Sequence, residues 1–404
     1  MNIWIVSLFE PTPLDKTRPM RFMSVANAAI QHGYKLTHFA CTFRHSTKVQ
    51  RFKGNHVEKI NPKHEIHYVY GPVYKKNISY SRLKSHQVFT KNLMNHIKTL
   101  ERPDVVLIAF PPISTAFKLG NWCKLNQIPY VIDIIDPWPD VFERFIPKAF
   151  KGVSKIALKP YRKKVKQIME KASGVSSISK AYTEWALSVG FEKSKPREFF
   201  YPSVPIDEIH QKLNKIEASP SGKLTLIYAG NFGVAYDIPI ILEVAKQFDK
   251  DFPGQTEFVF CGAGHYQEQI AKQSEQTNNL TFLGRLGYDD LMKAYKNADL
   301  GLAQYAKGAT QTVTYKLFDY LAAGLPVLNS LPTEMAEIIE EYEVGANNLP
   351  DEPQKLFENI KLYFENKDLL EDHKKRAIET TKAIGDNKTV YTKFINFLEK
   401  TTHN

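Results

Sequence analysis

The sequence predicts an α/β chain of two doubly wound, Rossmann-like domains with parallel sheets. Three observations point there. At 404 residues the chain exceeds what one compact core fills. Short apolar, β-rich runs alternate with helical patterns through both halves, as parallel sheets require. Several runs also end on glycine turns, the places where such folds bring backbone close to a ligand. With 43% hydrophobic and 12% aromatic residues, the composition is that of a globular protein and excludes general disorder.

In the first half, strands are expected at residues 2–8, 35–40, 67–70, 105–109, 130–135 and 174–178. The first run has no basic segment before it and stops at Glu10-Pro11, so it reads as a buried strand and not as a signal peptide. Helices are expected at 21–32, ending on Gly33 as a C-cap, and at 114–125, just before Pro129. In the second half, strands are expected at 224–229, 257–261, 280–283, 300–304 and 326–329. Helical spacing fits 239–248, 289–297 and 316–323. Two prolines in Tyr201-Pro202-Ser203-Val204-Pro205 break any helix and mark a boundary. The expected domains are therefore 1–203 and 204–386. A last helix in 387–404, patterned at 391–398, is expected to pack back on the first domain.

Charge is split unevenly. Residues 1–200 carry 33 Lys and Arg against 14 Asp and Glu, a net +19, whereas 201–404 carry 21 against 29, a net −8. The two domains are thus expected to meet different partners, one of them an anionic surface. Nucleic acid is not expected as that partner, because no nucleic-acid motif is present. The cysteines, Cys41, Cys123 and Cys261, are far apart and match neither a disulfide frame nor a zinc site, which implies a reducing cytoplasm. No run of about 18 apolar residues suggests a membrane span.

Two segments carry the chemistry. Gly230-Asn231-Phe232-Gly233 follows a strand, where absent Cβ atoms and a following helix N-terminus suit a phosphate. A tight turn without any ligand explains such a segment equally well, and Gly262-Ala263-Gly264 is weaker still. More informative is the polar loop Gly308-Ala309-Thr310-Gln311-Thr312-Val313-Thr314, which leads into a helix carrying Lys316 and Asp319 and ended by Gly324-Leu325-Pro326. A loop at a helix N-terminus suits an anion, and a carboxylate in that helix suits sugar hydroxyls. By spacing alone, Lys316 and Asp319 are equally well read as a surface ion pair at i,i+3.

This second segment resembles the donor-site signature of retaining glycosyltransferases of family 4, in which a Glu-x7-Glu pair ends in Glu-Ala-Met-Ala-Ala-Gly-x-Pro-Val. Gln311 and Asp319 stand at the two carboxylate positions, with seven residues between them. Residues 226–233, 258–264, 280–286 and 289–302 are similar to the family's other strand and glycine units, so nearly the whole second half is covered. The first half resembles it more loosely. Arg102-Pro103-Asp104-Val105-Val106 looks like the family's strand entry, and residues 174–179 and 201–207 look like two further elements. Asp136-Pro137-Trp138-Pro139 looks like the Asp-x-Trp-Pro element of the branch that builds bacterial surface polysaccharides, amino-sugar transferases included.

The resemblance implies a GT-B fold, with the two sheets facing an interdomain cleft, and transfer of a sugar from a nucleotide-sugar, by default a UDP-sugar. Asp319 would hold the ribose. Gly308, Ala309, Thr310, Gln311, Thr312 and Thr314 would face the sugar and pyrophosphate. Gly230, Asn231 and Gly233 would let the chain approach the phosphates, and Gly284 and Arg285 would lie near the base. Asp136 would stand at the reacting centre with Gln311 and Lys316. The chain departs from the family at Gln311, at Asn231 and Asp237 where Arg and Lys are common, and at residues 10–21, where a glycine-rich loop is usual. Lys316 is then the remaining cation for the phosphates. No cofactor and no metal ion are expected: Asp133, Asp136 and Asp140 are poorly spaced for a shared cage.

Residues 144–171 hold ten Lys and Arg against the single acid Glu170. Lys155, Lys159, Arg162, Lys163, Lys164 and Lys166 interleave with apolar residues at helical spacing. This reads as a basic amphipathic surface for an anionic membrane, beside the plainer reading of a solvated helix face. Pro160 predicts two helices or a kink. The expected setting is peripheral, on the inner face of the cytoplasmic membrane, with a glycan or lipid-linked oligosaccharide as acceptor. An epimerase or hydrolase on the same fold, or a non-catalytic scaffold, are the alternatives.

Overall fold

The computed structural model describes residues 1–15, 17–145, 151–219 and 221–402. The chain divides into two units, Met1–Tyr201 with Val390–Asn404, and Pro202–Thr389.

The first unit is built on a sheet of eight strands: β1 (Asn2–Val6), β2 (Lys35–Cys41), β5 (His56–Asn61), β6 (His64–Val69), β7 (Val105–Phe110), β8 (Tyr130–Ile134), β9 (Gly174–Ser177) and β10 (Arg197–Phe199). β3 (Phe43–Arg44) and β4 (Val49–Gln50) form a separate hairpin. The order is β10-β9-β8-β7-β1-β2-β6-β5, parallel except for β5, which runs antiparallel to β6 at the edge. The apolar runs are continuous because both faces are covered. Trp4 and Val6 of β1 enter one core with Val106, Ile108 and Ile132, while Ile3 and Ile5 enter the other with Val105, Leu107 and Val131. The C-terminal helix, Asn387–Thr402, closes that second face through Phe394, Ile395 and Leu398.

The second unit is all parallel: β11 (Leu224–Asn231), β12 (Thr256–Ala263), β13 (Leu280–Gly284), β14 (Leu300–Ala303), β15 (Val327–Asn329) and β16 (Gly345–Asn347), in the order β13-β12-β11-β14-β15-β16. In both sheets the strand order reverses at the middle, between β1 and β7 and between β11 and β14. Such switch points are where open α/β sheets leave a crevice at the strand carboxyl ends.

Several elements differ from the sequence expectations. The basic stretch forms one helix, Lys151–Lys171, with Pro160 inside it, and not two helices. The helices Tyr80–His96, Lys180–Ser188, Gln267–Ser274 and Glu334–Glu341 were not singled out by periodicity, nor was the antiparallel β5. Tyr80–His96 is polar over most of its surface and buries only a narrow line, including Ser85, His86, Phe89 and Leu93.

One ion pair organises the carboxyl end of the first sheet. Arg21 donates through Nε and Nη2 to Asp133 at 2.6 and 2.8 Å, and through Nη1 and Nη2 to the carbonyls of Phe200 and Ser177. Ser176 adds a bond to Asp133. Both charges are buried, so removing one partner leaves the other unpaired, at a cost of about 3–5 kcal/mol. All four tryptophans, Trp4, Trp122, Trp138 and Trp185, lie in this unit, so their fluorescence follows its unfolding alone. Arg21→Leu is expected to lower the unfolding free energy read by tryptophan fluorescence in urea by about 3–5 kcal/mol. A loss under about 1 kcal/mol would contradict the assigned role.

Candidate functional site

Three helix N-termini lie just past the carboxyl ends of central strands, and the chain treats them differently. The helix Arg21–Gln31 follows β1, and Glu10 accepts hydrogen bonds from the amides of Phe22 and Met23 at 2.9 and 3.1 Å. Burial pushes the Glu10 carboxyl up to about 7 despite those bonds. The glycine-free segment after β1 thus fills its own helix end with a side chain, and Asp15 from the same segment pairs with Arg44 and Arg51. The helix Ile238–Asp251 follows β11 and is capped by Asp237, which accepts from the Ile240 amide. Burial raises the Asp237 carboxyl above its usual range.

The third helix, Tyr315–Ala322, follows β14 at the switch point, and its N-cap side chain does not close it. Its N-cap residue, Thr314, turns its hydroxyl to Tyr305 Oη at 2.8 Å instead. The first turn of a helix carries amide N–H groups and the positive end of the helix dipole. Lys316 stands in its first turn. Lys316 Nζ donates to the Ala229 carbonyl at 3.0 Å and lies 3.5 Å from the Tyr228 ring centroid, with Tyr236 at 5.2 Å. Burial pushes its ammonium down to about 7, against the pull of Asp319. Lys316 therefore leans on the end of β11. One turn on, Tyr320 Oη accepts from the Ala229 amide at 2.8 Å and donates to the Leu302 carbonyl. Helix, β11 and β14 are locked together at the switch point.

The glycines divide by role. At Gly230, φ is +141° and a Cβ would approach Lys316 Nζ to 3.2 Å, so Gly230 is what admits the lysine. Gly262 and Gly264 instead serve backbone packing. A Cβ at Gly262 would lie 1.8 Å from the Gly230 carbonyl, and one at Gly264 would strike Phe232 backbone at 2.7 Å. Gly233 has Asn231 Oδ1 beside it, and Asn231 is exposed.

The loop 308–314 is tied at its far end. The Thr312 carbonyl accepts from Thr333 Oγ1 and from the Met335 amide, while Thr312 Oγ1 is buried and has no hydrogen-bond partner. Gln311 Oε1 accepts from the Thr310 amide at 3.0 Å, so its carboxamide folds onto its own loop. Gly308 adopts φ +84° in an exposed turn, with Ala309 and Thr310 half-buried after it. Asp319 is half-buried. Gly284 ends β13, two strands from β11, and Arg285 is exposed beyond it. The structure thus gathers Gly230, loop 308–314, Lys316 and Asp319 around the switch point, with Gly284 and Arg285 further along the same sheet end. A concavity of about 700 Å³ in the same unit, lined by Ala336, Glu340, Asn348 and Asp351 among others, includes none of these residues.

In the first unit, Asp136 follows β8, and burial pushes its carboxyl up to about 6 against the opposing effect of Arg82. Asp133 and Asp140 are committed elsewhere, to Arg21 and Arg162. Of the basic surface, Lys148 lies outside the described residues, and for Lys151 and Lys155 only the backbone is described. Arg162 is bound to Asp140 and Glu143, which removes it from any free basic face. Lys166 lies 3.7 Å from Glu170, and Lys164 lies over the Phe117 ring. Val165, Ile168 and Met169 belong to the core, whereas Ile156 is 75% exposed beside the exposed Lys159 and Lys163. Among the described residues, no helix is long and apolar enough to cross a membrane.

Comparison with known proteins bears on the fold and on the second unit. Residues 209–380 match the family model described as Glycosyl transferases group 1. No curated protein matches the sequence. Solved structures share the fold over nearly the whole chain. Sucrose-phosphate synthase from Thermosynechococcus elongatus has a TM-score of 0.70 at 13% identity, covering 99% of this chain and 98% of that one. Anabaena HepE in complex with UDP-glucose has a TM-score of 0.65 at 13% identity, covering 99% of each chain. WaaG, a glycosyltransferase involved in lipopolysaccharide biosynthesis, has a TM-score of 0.65 at 13% identity, covering 98% and 99%. The chain therefore has the GT-B fold of these structures, and residues 209–380, within its second unit, match the glycosyl transferases group 1 model.

Proposed function

We propose that the protein is a retaining glycosyltransferase that moves a sugar from a UDP-sugar to a glycan or lipid-linked acceptor. The observation that carries this reading is Lys316, a half-buried cation in the first turn of the helix at the switch point, inside the region that matches the family model. In this reading the diphosphate lies against the first turn of Tyr315–Ala322, with Lys316 beside it and the orphaned Thr312 hydroxyl within the loop that covers it. Asp319 accepts from the ribose hydroxyls, and Gln311 turns from Thr310 to the sugar. Uridine is favoured by similar folds whose complexes hold UDP or UDP-glucose.

The bond from the anomeric carbon to the diphosphate breaks with its electron pair leaving on the phosphate oxygen. The acceptor oxygen bonds to the same face of that carbon, and its proton passes to the departing diphosphate. Most of the rate then comes from positive groups already aimed at the diphosphate as its charge develops. Asp136, whose carboxyl burial pushes up to about 6, meets the acceptor hydroxyl. Release of UDP that depends on an added acceptor separates transfer from hydrolysis or epimerisation. Asp319→Ala is expected to raise the donor KM by roughly 30-fold, the loss of about 2 kcal/mol of charge-assisted hydrogen bonding. An unchanged donor KM, or UDP release indifferent to acceptor, would overturn the reading.

The exposed Ile156, Lys159 and Lys163 on the helix Lys151–Lys171 favour an acceptor at an anionic membrane surface, in the synthesis of a surface polysaccharide. Sedimentation with vesicles containing phosphatidylglycerol is expected for the wild type and is expected to fall severalfold in a Lys159→Glu, Lys163→Glu variant. Equal sedimentation of the two, or none, would remove the membrane from the account.

A further inference from the structure

The first unit carries a second constellation, at the carboxyl ends of its own central strands. It is built from Phe9 after β1, the turn between β3 and β4, Tyr74, the helix Tyr80–His96 and the segment after β8. Two cations meet on Asn77. Lys48 Nζ donates to Asn77 Oδ1 at 2.6 Å, and Arg82 Nη1 donates to the Asn77 carbonyl at 2.7 Å. Each lies against aromatic rings: Lys48 is 4.8 Å from the Tyr74 centroid, and Arg82 is 4.9 Å from Trp138 and 5.3 Å from Phe9. Among the described residues neither makes an ion pair, although most buried or half-buried cations in this chain do. Their hydrogen-bond partners are neutral, and burial pushes both below their usual values.

Two further observations point to a ligand. His86 is 3% exposed, sits among Phe9, Tyr74 and Trp138, and its Nε2 has no hydrogen-bond partner, as is also true of Arg82 Nε. Lys48 also holds a left-handed backbone, φ 60°, which costs energy in a residue other than glycine or asparagine and places the side chain over Tyr74. His45, whose Nδ1 is 2.6 Å from Tyr74 Oη, and His86 are kept neutral by burial, at about 4 and about 3. Tyr74 and Asp136 oppose the effect of burial on the Arg82 guanidinium.

We infer that Lys48 and Arg82 bind an anionic group of the acceptor, a phosphate or a carboxylate, with the Phe9, Tyr74 and Trp138 rings against its uncharged part. This rests on the reading of the chain as a glycosyltransferase and adds the acceptor's chemistry to it. An acceptor anion held there would pair the two cations, and it would lie within the field of Asp136, the group proposed to meet its hydroxyl.

The test uses the full chain with Lys316→Met, which weakens the proposed diphosphate site so that phosphate probes report on the first unit. Calorimetric titration would use decyl phosphate, hexose 6-phosphate, hexuronate and uncharged hexose. At least one anionic probe is expected to bind at least tenfold more tightly than hexose, and Lys48→Asn and Arg82→Gln are each expected to weaken it at least tenfold. Asparagine tolerates the left-handed turn, so Lys48→Asn removes the charge and keeps the backbone. Preference for decyl phosphate, hexose phosphate or hexuronate would identify a lipid phosphate, a sugar phosphate or an acidic sugar. Equal binding of hexose, unchanged affinity in both variants, or no binding of any probe would overturn the inference. If the wild type binds no nucleotide, the glycosyltransferase reading fails, while this titration still reports on the anion site.

Discussion

The end of β11 is held by two side chains from one helix, and the proposed donor site is arranged around that attachment. Lys316 takes the Ala229 carbonyl and Tyr320 takes the Ala229 amide, so both polar groups of one strand residue are satisfied by the helix Tyr315–Ala322. This fixes the helix N-terminus over the strand where the sheet order reverses. It needs glycine at two positions. Gly230 leaves room for the lysine, and a Cβ at Gly301 would lie 2.4 Å from the Tyr320 ring. The arrangement is costly, because a cation is kept where burial drives its ionisation down. A cation retained under those terms supports the proposed diphosphate site.

The two units use the same topology to different ends. At the first sheet's β1 the helix end is closed by Glu10, while Lys48, Arg82, His86 and Asp136, the groups proposed to meet the acceptor, stand in the same unit. In the second unit Asp237 caps the helix after β11, whereas Thr314 turns its side chain away from the helix Tyr315–Ala322 to Tyr305. The charge split follows the same division: the net +19 half contains the proposed anion-binding cations and the exposed lysines of Lys151–Lys171.

Much of this was legible in the sequence, for a physical reason. Strands covered on both faces must be apolar throughout, so β1, β7, β8 and β11 stand out as runs, and glycine and proline punctuate their ends. The loop 308–314 was legible because small polar residues before a helix with an internal carboxylate are an unusual local combination. The direction of Lys316 was not, since its partners Ala229 and Tyr228 are far away in sequence and the neighbouring Asp319 offered a local explanation. Gly262 and Gly264 resembled ligand glycines because close backbone approach and phosphate approach demand the same missing Cβ. The helix Tyr80–His96 escaped notice because it buries a narrow line, and with it went Arg82 and His86. The basic run misled in part. Its periodic apolar residues divide between core and surface, and Arg162 is neutralised by acids about twenty residues upstream in the sequence.

The central claim is that Lys316, as a cation, binds a nucleoside diphosphate. Its ammonium is protonated below about 7 and loses its proton as pH rises through that value, whereas a bound diphosphate holds the proton on. Calorimetric titration of UDP between pH 7 and pH 9 tests this directly. The account predicts affinity falling by up to about tenfold per pH unit, with proton uptake on binding, and a weak, flat profile for Lys316→Met. Tight binding that is independent of pH and unchanged in Lys316→Met, or no binding of UDP at any pH, would contradict it.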